Sequence, residues 1–197
     1  MKTIHKLGLY LLVILLLSRS ASAYYIHYTH GYAYENIGIK NDLSSSYSGT
    51  FEDAIDIWND GINDRSFMLN SNAVNNIIDL DFCDALDYSS SLGFLFYDRY
   101  RNLATYYPWS YNTTTCCSDH QTTSFKIYVN TYMLPEDEED DKKLWVMTHE
   151  LGHSLGLDDF DNLANYRDHV MNYAYSYSTY SSPSNSEFSA VDMIWDH

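Results

Sequence analysis

The sequence predicts an α+β fold in one domain that covers residues 24–197. Strand-like runs lie on both sides of a first amphipathic helix, and further helices follow toward the C-terminus, an order typical of this class. The chain has 197 residues, and the part that follows residue 23 is long enough for one compact domain with a sizeable core. Four runs have the composition of strands: 36–41, 74–82, 92–98 and 125–130.

The N-terminal segment Met1–Ala23 has the pattern of a cleaved secretory signal peptide. Lys2 and Lys6 supply the positive start, residues 7–17 are mostly apolar, and Ala21-Ser22-Ala23 is a small-residue cleavage site. A retained membrane anchor is the alternative, but the apolar run is shorter than the roughly 20 residues that a span needs. We therefore expect a secreted, extracellular protein that does not contact the membrane after signal cleavage.

Negative charge is the main compositional bias, because 27 acidic residues stand against 11 basic ones and give a net charge of −16. The signal segment holds three of the basic residues, so its removal takes the net charge to about −19. Such a surface repels nucleic acid and anionic lipid, and we expect neither as a partner. We expect a soluble monomer. The charge is compatible with structural Ca²⁺, and a solvated acidic surface also explains it.

A first helix is predicted from Thr50 to about Ile62, after a polar linker at Ser44–Gly49. Thr50 is a candidate N-cap, and Gly61 lies near the C-terminal end. Apolar residues recur at helical spacing at Phe51, Ala54, Ile55, Trp58 and Ile62.

Residues Arg101–Thr123 are predicted to form a long irregular surface excursion near a binding edge, because Pro, Trp and Tyr interrupt any regular period. This segment contains Cys116 and Cys117, and Cys83 precedes it. In an oxidising compartment Cys83 can pair with either of the other two, which leaves one thiol over. The sequence does not choose between these pairings, although a vicinal bond between Cys116 and Cys117 would be strained.

Two helices are predicted in the C-terminal part, from about Asp140 to Leu155 and from Phe188 to Trp195. The acidic run Glu136–Asp141 suits the positive N-terminal end of the earlier helix and is otherwise a solvated surface. Between the helices, Tyr173–Ser186 is rich in Tyr and Ser and is predicted to be a loop.

The most informative segment reads HELGHSLGLDD, with two histidines four residues apart on a predicted helix. His149 and His153 therefore lie on one helix face and can bind the same metal ion. Glu150 is close enough to hold a water molecule on that ion without being a ligand. Gly156 can adopt positive φ, end the helix and turn the chain so that Asp159 supplies the third ligand. Three protein ligands and one open position are typical of a catalytic zinc site.

This segment resembles the metzincin metalloproteases, whose pattern is HExxHxxGxx followed by His or Asp. Asp159 departs from the third histidine of matrixins and astacins and is similar to the snapalysin-type bacterial proteases. Residues 168–173 resemble the Met-turn of that clan, with Met171 as an apolar floor under the metal and Tyr173 as a contact to zinc or the tetrahedral intermediate. The resemblance implies a metzincin-like single domain, a small mixed twisted β-sheet with a first helix, an active-site helix and a C-terminal helix.

The resemblance also implies a secreted zinc-dependent endopeptidase that hydrolyses peptide bonds in a protein or peptide substrate. Glu150 would activate the water as general base, and the substrate would lie along an edge strand. Tyr173 would be the second catalytic residue. Two alternatives are a non-catalytic exported metzincin-like binding protein and a zinc amidase that acts on a non-protein substrate.

A glutamate ligand from a later helix, as in gluzincin-like zinc sites, is not expected. Glu187 is the only glutamate after Glu150, and it lies in a stretch rich in Ser and Asn. His169 is interpreted as an ordinary polar residue.

Overall fold

The computed structural model describes residues 34–80, 104–111, 122–159, 169–172 and 182–195. Among them no helix has the length and hydropathy that crossing a membrane requires. The elements in chain order are β1 Asn36–Asp42, α1 Ser45–Gly61, β2 Ser66–Leu69, β3 Asn75–Leu80, β4 Ala104–Tyr111, β5 Thr122–Asn130, α2 Asp140–Ser154 and α3 Asn185–Trp195. Predictions that lie outside the described residues concern the signal peptide, the run 92–98, Cys83, Cys116, Cys117 and Tyr173.

The described strands form one sheet in the order β2-β1-β3-β5-β4. β1 pairs in parallel with β2 and β3, and β3 pairs in parallel with β5, whereas β4 runs antiparallel to β5 at one edge. Parallel neighbours need a crossover connection, and α1 supplies it between β1 and β2. A small mixed sheet accompanied by helices is thus confirmed.

Helix α1 begins at Ser45, so the prediction of a polar linker at Ser44–Gly49 is wrong. Tyr47 explains the difference, because it is fully buried three turns before Trp58 on the same face of the helix. The Tyr47 hydroxyl also donates a hydrogen bond of 2.6 Å to the carbonyl oxygen of Leu134. This packing outweighs the weak intrinsic helix propensity of a turn rich in Ser and Gly.

Strand β4 shows that part of the irregular excursion predicted for Arg101–Thr123 is wrong, because seven of the eight residues of β4 pair with β5. Pro108 cannot donate a ladder hydrogen bond, but an edge strand tolerates it, and the register shifts just after it. The ring of Tyr106 lies 5.3 Å from that of Phe125 and anchors β4 to its neighbour. Pairing between distant segments therefore makes a strand where the local sequence indicates none.

The other predicted elements within the described residues are present, with ends that differ from the predicted ones by up to three residues. β1, β3 and β5 lie where strands are predicted, and α2 ends one residue before the predicted end. β2 was missed because only Phe67 of its four residues is buried, which leaves no readable alternation. α3 begins at Asn185, so the last residues of the predicted loop Tyr173–Ser186 are helical instead.

Trp58 lies where the three helices meet, and it is fully buried. Its indole N–H donates a 2.8 Å hydrogen bond to the carbonyl oxygen of Thr148, the residue before His149 on α2. Its ring meets that of Phe188 on α3 edge to face at 5.5 Å. Helix α1 thus holds α2 at the start of the histidine motif. Other large, fully buried side chains are Phe51, Ile37, Ile39, Ile77, Phe125, Ile127, Leu134, Met147, Leu151 and Leu155.

Candidate metal centre

Three predicted ligands meet at one point. His149 and His153 lie on one face of α2, with ring centroids 4.8 Å apart. Oδ1 of Asp159 is 3.1 Å from Nε2 of His149 and 3.6 Å from Nε2 of His153. One ligand atom from each residue lies within 4.8 Å of the others, so the group could hold a metal ion.

The turn that brings Asp159 back to α2 is built around Gly156, whose φ is 98°. The N–H of Leu157 donates to the carbonyl of Gly152 at 3.1 Å, and the N–H of Gly156 donates to that of His153 at 3.0 Å. This pair of bonds is the Schellman helix end, in which the residue at positive φ is usually glycine. The predicted role of Gly156 is therefore confirmed.

Both imidazole rings are oriented by backbone carbonyls. Nδ1 of His149 donates to the oxygen of Val170, and Nδ1 of His153 donates to the oxygen of Leu157, each at 2.9 Å. A carbonyl oxygen only accepts, so each Nδ1 carries its hydrogen and each Nε2 is directed to Asp159. Metal-binding histidines have the same arrangement, because the second nitrogen is held by a protein acceptor.

The charges of the site depend on one another. Burial lowers the pKa of His149, but the hydrogen bond that its Nε2–H donates to Asp159 and the charges of Glu150 and Asp159 outweigh burial and raise the pKa to about 9. Burial raises the pKa of Asp159, yet the hydrogen bond and charge of His149 bring it below its usual value. In the metal-free chain a proton on His149 thus occupies the place that a cation would take between these two residues.

Glu150 is buried beside the ligands, and burial raises its pKa even though His153 and His149 oppose that shift. The backbone N–H of Tyr106 on β4 hydrogen-bonds to this carboxylate. Its Oε2 atom has no hydrogen-bond partner among the described residues. A buried carboxylate oxygen without a partner requires an explanation, and a water molecule or substrate group in the site would satisfy it.

Met171 packs directly under the histidine motif and is fully buried. An ideal Cβ built on Gly152 would lie only 2.3 Å from the Met171 sulfur. The floor predicted for Met171 is thus in contact with α2 between the two histidines. Tyr173 lies outside the described residues, so its predicted role stays a prediction.

Glu187 is the residue whose setting the sequence analysis missed. It lies in the first turn of α3, has 0 % exposure and accepts a 2.8 Å hydrogen bond from the N–H of Met171. His169 is half-buried with Nδ1 3.1 Å from Oγ of Ser184, so it belongs to the same cluster. The Ser184-x-x-Glu187 spacing of a capping box could have indicated the helix start, although not the contact with Met171.

The donor set fits a zinc-type ion. Two neutral imidazole nitrogens and one carboxylate oxygen are ligands that zinc accepts, and three protein ligands leave a position open. The chain matches no protein-family model and no curated protein sequence.

Proposed function

We propose that this chain is an exported zinc-dependent endopeptidase of the metzincin kind. The observation that carries the proposal is the meeting of His149, His153 and Asp159 within 4.8 Å, beside a buried Glu150 whose Oε2 has no partner among the described residues. Neither a bare pair of histidines nor an exposed acidic cluster has both features. Export is proposed from the signal-like segment Met1–Ala23 alone.

His149, His153 and Asp159 would hold the ion. Zinc, when bound there, supplies a Lewis acid that polarises a carbonyl and makes water acidic near neutral pH. The backbone carbonyls on the two Nδ1 atoms fix both rings, so little reorganisation accompanies metal binding.

Glu150 is placed to move the proton. Its raised pKa suits a group that takes a proton from water and then passes it to the leaving amine, since efficient general bases have a pKa near the working pH. The N–H of Tyr106 holds the carboxylate, which leaves Oε2 available to the reacting groups. Tyr173 is proposed as a donor to the oxyanion, on the sequence resemblance only.

The substrate would add to the sheet beside β4, which is one of the two edge strands of the described sheet. β4 adjoins the ligands, because the ring of Tyr106 lies 6.1 Å from that of His153. A peptide bound in extended form along this edge would pass the metal centre. This geometry favours cleavage within a chain over removal of terminal residues.

The decisive experiment uses the purified chain 24–197 on an unfolded, alkylated protein, with and without a zinc chelator. We expect about one zinc per chain and activity that chelation abolishes and zinc restores. Glu150→Gln should keep the zinc and lose roughly 10²–10⁴-fold in turnover, since it removes the base and no ligand. Glu52→Gln, on an exposed part of α1, is the matched control and should leave turnover unchanged.

Three results would contradict the proposal. Full activity after chelation would exclude a metalloprotease, and loss of zinc in Glu150→Gln would make Glu150 a ligand. Zinc binding with no cleavage of any protein would favour the two alternatives, a binding protein or an amidase. Hydrolysis of amide-bearing cell-wall fragments would then indicate an amidase, and no hydrolysis would favour a binding protein.

A further inference from the structure

We propose that Glu187 is a positioning residue for the metal centre and acts on His149 through one peptide group, that between Val170 and Met171. The inference rests on the proposed metal site. It assigns a role to the C-terminal helix α3, which contributes no ligand.

Each of the two polar ends of this peptide group, the N–H and the C=O, makes one hydrogen bond. Its N–H, on Met171, donates to Oε1 of Glu187 at 2.8 Å. Its C=O, on Val170, accepts from Nδ1 of His149 at 2.9 Å. Because a peptide bond is planar and rigid, the orientation of the N–H also fixes that of the C=O. The carboxylate of Glu187 therefore holds the oxygen that orients the first ligand.

Glu187 also influences His149 through its charge. Consecutive hydrogen bonds polarise one another in a low-dielectric interior, and both bonds are buried. A carboxylate on the N–H makes the carbonyl a stronger acceptor, which raises the basicity of the His149 ring toward a metal. Glu187 thus acts on His149 in the same direction as a carboxylate bonded directly to the ring, but more weakly, because the effect is transmitted across one amide.

Helix capping explains only part of these contacts. Oε2 of Glu187 accepts from the N–H of Ser184 at 2.7 Å and from its hydroxyl at 2.9 Å, while the Ser184 hydroxyl accepts from the N–H of Glu187 at 3.3 Å. These bonds form a capping box, which exposed glutamates form equally well. The capping box requires neither 0 % exposure nor the bond that Oε1 accepts from the N–H of Met171, 16 residues earlier.

Glutamine cannot replace this carboxylate. Among the described residues, the N–H groups of Met171 and Ser184 and the Ser184 hydroxyl donate to the Glu187 oxygens, and Nδ1 of His169 lies 3.8 Å from Oε2. An amide offers only one accepting atom. In Glu187→Gln the negative charge is lost in either orientation of the amide, which weakens the bond from the Met171 N–H, and one donor must also face the amide N–H₂.

The test compares three variants of the full mature chain. Glu187→Gln should weaken zinc binding up to about tenfold, below the 10–100-fold typical of groups bonded directly to a ligand, and should speed zinc release. Asp192→Asn is the matched control, because it also removes one carboxylate from α3 and takes away an acceptor for one of the two hydrogen bonds that Asn63 donates to it. Ser184→Ala removes the capping hydroxyl but leaves the bond to Met171, so it should lower the melting temperature without changing zinc affinity.

The readouts are zinc affinity and release rate, measured with a chromophoric chelator, and hydrogen exchange of the Met171 amide. In the unaltered chain this amide should be strongly protected, even without metal, and Glu187→Gln should expose it. Equal zinc affinity and release in Glu187→Gln and Asp192→Asn would overturn the inference, as would equal weakening by Ser184→Ala. If Glu187→Gln does not fold, rapid exchange of Met171 in the unaltered chain overturns it.

The two proposals fail in different ways. If the unaltered chain binds no zinc, the proposed function is wrong, and so is the inference about zinc affinity, whatever the hydrogen exchange of the Met171 amide shows. A chain that binds zinc and cleaves protein, but whose zinc affinity and release rate do not respond to Glu187→Gln, removes the inference alone.

Discussion

The sulfur of Met171 occupies the space in which residue 152 would carry a side chain. A Cβ on Gly152 would lie 2.3 Å from that sulfur and 3.2 Å from a ring carbon of Trp58. Glycine inside a helix costs about 1 kcal/mol relative to alanine, so its use here has a packing reason. Close contact between α2 and Met171 requires glycine between the two histidines.

Gly152→Ala should therefore displace Met171. We expect a loss of about 1–3 kcal/mol in the free energy of unfolding, the usual effect of overpacking, together with weaker zinc binding. Gly49→Ala on α1 is the control, because a Cβ there meets nothing within 4 Å and should stabilise the helix by up to about 1 kcal/mol. Denaturant unfolding measures both, and equal stabilisation by the two changes would contradict the close contact.

The metal centre was predictable because its geometry is local. His149, His153 and Gly156 are set by helix periodicity and by the backbone freedom of glycine, both of which can be inferred from the sequence. The short connection to Asp159 then leaves little choice in where the third ligand falls. The structure confirms the meeting of these groups, whereas the identity of the metal and the reaction stay predictions.

The features that the sequence did not predict depend on contacts between distant segments. β4 exists because it pairs with β5, and α1 starts early because Tyr47 reaches the carbonyl of Leu134. The role of Glu187 depends on where Met171 lies, which no pattern near Glu187 encodes. Local signals predict periodicity and caps, but they do not show which distant partner a side chain meets.

Tyr47→Phe tests the corrected start of α1. It removes the 2.6 Å hydrogen bond to Leu134 in a buried setting, and we expect a loss of about 1 kcal/mol in the free energy of unfolding. Tyr132→Phe, at a residue that is 47 % exposed, should change stability by less than about 0.5 kcal/mol. The same small effect in both variants would indicate that the first turn of α1 is not anchored at Tyr47.

Zinc and protons should compete for His149. Its pKa, ordinarily 6.5, is raised to about 9 in the metal-free chain, because Asp159 and the charge of Glu150 together outweigh the effect of burial. Zinc must displace this proton, so zinc affinity should rise with pH up to about 9, by at most tenfold per pH unit. Calorimetry in two buffers of different ionisation enthalpy would measure the released proton, and a zinc affinity independent of pH between 6.5 and 9 would contradict the pairing.

The same pairing sets the pH dependence of the metal-free chain. Folding raises the pKa of His149, so the stability that this group contributes is fully present below pH 6.5 and is lost as the pH rises through about 9. Melting temperatures of the metal-free chain should fall across this range. In Asp159→Asn the fall should be smaller, since the partner of the proton is no longer charged. An equal fall in both chains would assign it to other groups.

Tyr173→Phe tests the second catalytic residue implied by the resemblance to metzincins. A hydroxyl that donates only to the oxyanion contributes in the transition state, so kcat should fall on the order of 10²-fold with little change in KM. Zinc content should stay at one per chain. An unchanged kcat would leave Tyr173 with a packing role.

The last prediction separates Asp159 from Asp158. Oδ1 of Asp159 lies 3.1 Å and 3.6 Å from the two Nε2 atoms, whereas Oδ1 of Asp158 accepts a 2.8 Å hydrogen bond from the N–H of Asp159. Asp159→Ala removes one of three ligands and should weaken zinc binding by more than roughly 100-fold, beyond the effect of losing a group that only orients a ligand. Asp158→Asn keeps an accepting oxygen for that N–H and should leave the affinity unchanged, while Asp158→Ala should cost a few-fold. Asp159→His should retain zinc, because imidazole is an accepted ligand. Competition with a chromophoric chelator ranks the zinc affinities of the four variants. If Asp159→Ala keeps zinc while Asp158→Ala loses it, the third ligand lies one residue earlier. That result would contradict the geometry of the turn at Gly156.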